Sequence, residues 1–133
     1  MIFRHKIKVR YVESDQMGVV HHSNYPIFFE EARVHWLENF QLAYHQLEVD
    51  GLMMPIYDLQ VKYHAPAYFG DDLTVEVTLA DLGKIKLKFD YRIFNQHHKL
   101  ITTGSTVLVF MSASTRKPIK CPDWLADKLS RAL

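Results

Sequence analysis

An α+β fold, with one five-stranded antiparallel sheet wrapped around a single long helix, is what this sequence predicts, and three patterns predict it. Phe3, His5, Ile7, Val9 and Tyr11 alternate with Arg4, Lys6, Lys8 and Arg10. That period of two with one basic face reads as a half-buried strand. From Tyr25 to about Leu47 the period changes: Phe28, Phe29, Ala32, Trp36, Leu37 and Phe40 recur at spacings of three and four, the apolar stripe of a helix. Beyond Gly51 four more alternating segments follow with no helix between them, joined by short turn signals that imply antiparallel pairing. A sheet with one buried face has one helix to bury it against.

Each element has a local reason. Tyr11 closes the first strand on its inward face, where a tyrosine is expected as a core aromatic with its hydroxyl satisfied nearby. Ser23 and Asn24 are good N-cap types ahead of the helix, and Pro26 falls in its first turn, where a missing N–H is harmless. Glu30 and Glu31 lie early, on the side of the helix dipole that favours acids, and the many aromatics suggest a helix enclosed on several sides. Asp50-Gly51 ends it. The later strands centre on Tyr57–Ala65, Leu73–Leu79, Ile85–Ile93 and Leu100–Met111, punctuated by Phe69-Gly70-Asp71-Asp72, Asp81-Leu82-Gly83-Lys84 and Asn95-Gln96-His97-His98. Residues from Cys121 to Leu133 form a short closing surface helix. An open sheet leaves two edges, and pairing with a second copy is one way to cover them.

Composition narrows the function classes. A chain of 133 residues suits one domain, 1–133, and a net charge of +1 gives no footprint for nucleic acid. The lone Cys121 forms no internal disulfide. The N-terminus lacks the apolar core of a signal peptide, and no apolar run is long enough to cross a bilayer, so the expectation is a soluble, cytoplasmic protein without membrane insertion. No histidines and acids recur at a spacing that holds zinc, so no metal is expected.

The chemistry concentrates between Tyr11 and Tyr25. Asp15 supplies a carboxylate, Gly18 permits a bend, and the segment runs directly into the start of the helix, where unpaired N–H groups favour an anion or a developing oxyanion. An acid beside such donors suits attack on a carbonyl. Ser23 lacks a G-x-S-x-G elbow and reads as a cap, and Cys121 has no visible base to activate it.

The stretch Tyr11-Val12-Glu13-Ser14-Asp15-Gln16-Met17-Gly18-Val19-Val20-His21-His22-Ser23-Asn24-Tyr25, the following Glu30-Glu31-Ala32-Arg33, and the later Tyr63-His64-Ala65-Pro66-Ala67-Tyr68-Phe69-Gly70-Asp71-Asp72-Leu73 together resemble the 4-hydroxybenzoyl-CoA thioesterase family and its YbgC-like acyl-CoA branch. The resemblance covers nearly the whole chain and implies a hotdog fold. It also implies hydrolysis of an acyl-CoA thioester to a free acid and CoA. Asp15 matches the essential carboxylate, acting as nucleophile or general base. His22 matches the position whose backbone N–H polarises the carbonyl, with its side chain also implicated in the YbgC-like branch, and Tyr11 matches a tyrosine beside the acid. Glu13 departs from an aspartate found in many relatives. Gly18, Tyr25 and Tyr63 are expected to contact substrate, with Tyr25, Phe28 and Phe29 lining an apolar slot for the acyl group. Lys84 and Lys86, with Lys88, are candidates for the phosphates of CoA, as are Arg116, Lys117 and Lys120. The resemblance implies no cofactor beyond the CoA of the substrate. It implies a homodimer or a dimer of dimers (a homotetramer), with sites at the interface and basic residues often supplied by the neighbour. The carrier is CoA or acyl carrier protein. Rival readings are a non-catalytic acyl-CoA or acyl carrier protein binding module of the same fold, and a dehydratase whose histidine and acid pairing is not found here. Glu30 and Glu31 are the alternative carboxylates.

Overall fold

A computed structural model describes every residue from Met1 to Leu133. The main sheet holds five strands: β1 (Ile2–Lys8), β3 (Ile56–Tyr63), β4 (Asp72–Leu82), β5 (Lys86–Phe94) and β6 (Leu100–Val109). Two residues each form β2 (Leu52–Met53) and β7 (Met111–Ser112), which pair only with one another. The helices are α1 (Tyr25–Asn39), α2 (Tyr44–Val49) and α3 (Asp123–Ser130). The α+β architecture expected from the three patterns is present, and α1 packs against the inner face of the sheet.

The strand order is β1-β4-β5-β6-β3, antiparallel throughout. Only β4, β5 and β6 form a meander. β3 is an edge strand paired to β6, and residues 64–71 carry the chain across the sheet to β4. Alternation puts Val75, Val77 and Leu79 of β4 and Leu87, Phe89, Tyr91 and Ile93 of β5 inward, all buried. They meet Phe28, Phe29, Ala32, Trp36 and Leu37 of α1, also buried. Fully burying each such side chain contributes roughly 1.5–3 kcal/mol. Phe29 stacks on Tyr91 with ring centroids 4.3 Å apart, and the buried Arg33 donates from Nη1 to the Tyr91 hydroxyl at 3.0 Å. Phe28 and Phe29 are therefore core residues of the single chain, with Phe28 at the wall of a cleft between β1 and α1. Within one chain α1 is buried along a single broad stripe, while Ile27, Glu30, Glu31 and Glu38 face solvent.

The helix expected to reach Leu47 stops at Asn39. Gln41 adopts the left-handed conformation at φ 59°, the Gln41 N–H donates to the Glu38 carbonyl at 2.9 Å, and the Leu42 N–H donates to the Leu37 carbonyl at 2.8 Å. Those two bonds are a Schellman stop, and Leu37 and Leu42 bury together across it. The usual signal for this stop is glycine, which Gln41 hides. A side chain at that φ carries strain of about 1 kcal/mol. Gln41→Gly is therefore expected to raise the unfolding free energy by about 0.5–1 kcal/mol, read as a melting temperature higher by a few degrees.

Candidate active site

The first strand hands the chain to a tightly wired loop. After β1, Val9 is buried and docks through its N–H to the Asp71 carbonyl at 2.9 Å. The next residues coil into a 3-10 turn at Tyr11–Glu13 and so leave the strand early. Glu13 is only 5% exposed. Its carboxylate accepts the Arg10 backbone N–H at 2.7 Å and the Arg10 Nη2 at 3.2 Å. Its carbonyl accepts the His21 N–H at 2.9 Å and the Asn24 side-chain amide at 3.0 Å. Glu13 thus ties the outgoing and returning arms of the loop together. Only its place in the motif hinted at this.

Between those arms runs a three-residue hairpin. The Asp15 N–H donates to the Val19 carbonyl at 2.8 Å, and the Gly18 N–H donates to the Asp15 carbonyl at 3.0 Å. Gly18 takes φ 81°, and a Cβ there would meet no other atom. Its requirement is conformational, the left-handed residue that closes this turn type. Asp15 Oδ1 accepts the Met17 N–H at 2.8 Å, while Oδ2 has no protein partner. No cation pairs with Asp15 within the chain. The returning arm is pinned to the 64–71 crossover, the Val20 N–H donating to the Ala67 carbonyl at 2.8 Å.

A second 3-10 turn, His22–Asn24, then runs straight into α1. Neither Ser23 nor Asn24 caps α1 with its side chain. The cap on this turn is His21, whose Nδ1 accepts the Ser23 N–H at 3.2 Å, while Asn24 spends its amide on Glu13. Pro26 stands in the first turn as expected, and Glu30 and Glu31 fall beyond it. Asn24 N–H donates to the His21 carbonyl at 3.0 Å, whereas the His22 N–H has no acceptor in the chain. A free donor at the entry of a fifteen-residue helix is available to an oxyanion.

His22, Tyr25 and Tyr63 come together in one groove of about 340 Å³, completed by Val20, His64, Ala65 and Pro66. Tyr63 donates its hydroxyl to the His22 carbonyl at 3.0 Å, and its ring meets the Tyr25 ring edge-on at 5.3 Å. Burial pushes the Tyr25 hydroxyl above its ordinary range. Asp15 and Gly18 sit in the adjoining turn.

Tyr11 departs from its expected place. It is 80% exposed and meets only the Phe69 ring edge-on at 5.6 Å, because the 3-10 turn swings it off the inward face of the sheet. Lys84 and Lys86 are also not brought to the groove. Lys86 starts β5, and eight residues later Phe94 ends it opposite Thr74 of β4, roughly 27 Å away along the strand. Lys86 lies over the Tyr57 ring at 3.9 Å, and Lys84 lines a cleft with Lys120, Cys121 and Asp123. Burial, with a smaller contribution from Asp123, pushes the Cys121 thiol up to about 11, which makes it a poor nucleophile. Glu31 pairs with His5 at 3.1 Å, while Glu30 is exposed. No helix is long and apolar enough to cross a membrane.

Residues 9–129 match the thioesterase-like superfamily. The chain is 28% identical over 92% of its length, and 92% of the relative's, to a putative acyl-CoA thioesterase, YneP, of Bacillus subtilis. It is 27% identical to the acyl-CoA thioester hydrolase YbgC of Escherichia coli, covering 91% of this chain and 90% of the relative. A DHNA-CoA thioesterase from Staphylococcus aureus superposes with a TM-score of 0.92 at 32% identity, over 98% of this chain and 89% of that one.

Proposed function

The chain belongs to the thioesterase-like superfamily of hotdog-fold proteins, and from that premise we propose that it hydrolyses an acyl-CoA thioester to a free acid and CoA. The observation that carries the reading is the acceptor-free His22 N–H at the entry of α1, beside a hairpin that holds Asp15 with one carboxylate oxygen unpartnered. Attack on the thioester carbon turns its carbonyl oxygen into an oxyanion, which the His22 N–H receives without reorganising. Asp15 either attacks directly, forming an anhydride as the CoA thiolate leaves, or takes the proton of a water that attacks. In the first case water then cleaves the anhydride and restores the carboxylate. Tyr11, exposed on the 3-10 turn that leads into the Asp15 hairpin, is the third member of the proposed catalytic set.

The working unit is a homodimer or a dimer of dimers. Ile56, Tyr57, Leu59 and Tyr63 of the edge strand β3 are exposed, and the strand's outer ladder is unpaired, which favours coverage by a second copy. Lys84 and Lys86 lie at the far end of their own sheet, so they serve CoA phosphates at a neighbour's site.

The test is thiol release from a panel of acyl-CoA and acyl carrier protein thioesters of aromatic, short and long acyl groups. Turnover of one class supports hydrolysis and sizes the groove. Retention of a thioester without thiol release would replace it with the binding-module reading.

A further inference from the structure

We propose that Tyr63 is a positioning residue for this reaction, holding the turn that presents the His22 N–H. The proposal rests on the assignment of that N–H as the oxyanion donor.

The N-cap of α1 is Asn24, so the His22 carbonyl lies outside the α-helical ladder, in the 3-10 turn that leads into the helix. Tyr63, the last residue of β3 and 41 positions away, donates its hydroxyl there at 3.0 Å. The ring that carries the hydroxyl is held on two sides, edge-on to His22 at 6.5 Å and to Tyr25 at 5.3 Å. A donor fixed by a sheet strand thus sets the orientation of the His22–Ser23 peptide, and with it the 3-10 turn His22–Asn24.

The consequence falls on the preceding peptide. The His22 N–H is directed by the same turn, and its flanking groups are already committed. The His21 N–H is taken by Glu13 and the Ser23 N–H by His21 Nδ1. Releasing the His22 carbonyl frees the one residue whose N–H remains open. Tyr63 directs its only O–H to the backbone, so it holds the turn and passes no proton to the leaving thiolate. Its place in the groove with His22, Val20 and Tyr25 puts the held peptide on the wall that the thioester meets.

Tyr63→Phe keeps the ring and removes only the hydroxyl. Steady-state kinetics on a turned-over acyl-CoA are expected to show kcat reduced about 10- to 100-fold with KM changed less than about threefold, since a misplaced donor weakens the transition state more than the ground state. In the 15N–1H spectrum the Ser23 amide, which shares its peptide with the His22 carbonyl, is expected to shift while amides at the Lys86 end of β5 stay put. Wild-type turnover with equal kcat in Tyr63→Phe overturns the positioning role and leaves the hydrolase reading intact. A raised KM with unchanged kcat assigns Tyr63 to substrate binding and also overturns it. An unmoved Ser23 amide removes its structural basis, whatever the activity.

Discussion

Asp15→Asn is expected to lower kcat/KM on the preferred acyl-CoA by roughly a thousand-fold or more, the scale of an essential catalytic group, without unfolding the protein. The hairpin explains why this substitution separates chemistry from structure. Asp15 Oδ1 accepts the Met17 N–H at 2.8 Å, a role the Asn side-chain carbonyl takes over unchanged. The atom that differs is Oδ2, which has no partner in the chain. As an amide nitrogen it neither attacks a thioester nor accepts a proton from water. Asp15→Ala, by contrast, also removes the turn's acceptor and adds a stability loss of about 1 kcal/mol, so its activity is harder to read. The measurement is thiol release by wild type and Asp15→Asn, with melting temperatures recorded for both. Equal rates would move the carboxylate elsewhere. Glu30, exposed on α1, is then the next substitution, ahead of Glu31, which is engaged by His5.

Gly104→Ala is expected to cost about 3 kcal/mol of stability, roughly 10 °C in melting temperature for a chain of this size. Gly104 lies on β6 opposite Tyr91 of β5 and Val61 of β3. A Cβ there would approach Phe29 Cε2 to 2.5 Å and the Gln60 carbonyl oxygen to 2.6 Å. Neither neighbour has room to yield. Phe29 is fully buried and stacked on Tyr91, and the Gln60 carbonyl belongs to the backbone of the strand that pairs with β6. The added methyl must push α1 off the sheet or loosen β3, and β3 carries Tyr63 to His22. Thermal unfolding tests the stability, and amide exchange in β3 tests where the strain goes. An unchanged melting temperature would show that the helix and sheet relax apart freely, contrary to the packing described.

Much of this was legible because it rests on short-range patterns. Alternation assigned the inward residues Leu73 to Leu79 of β4 and Leu87 to Ile93 of β5, since the pleat forces neighbours to opposite faces, but Ile85, expected to continue the inward set, precedes β5 and is exposed. The Phe28–Leu37 stripe identified the helix for the same kind of reason. The pattern failed where one residue stood in for another. Gln41 ends α1 in a conformation usually given to glycine, and Tyr11 kept the alternation of β1 after the backbone had already turned. The pairing of β3 with β6 was not legible either, because alternation states which face a residue takes and not which strand lies beside it.

The site divides along the same line. The sequence alone determined that a carboxylate, a turn glycine and a helix entry stand within a dozen residues, because the chain's own connectivity holds them close. Only the tertiary structure decided that Tyr63 reaches back to the His22 carbonyl, that Glu13 binds the loop's two arms, and that Lys84 and Lys86 lie at the other end of the sheet. The Tyr63 contact and the placement of the lysines depend on residues far apart in the chain, and they exist only once burial of the α1 stripe has brought β3, the crossover and the loop to the same end of the sheet.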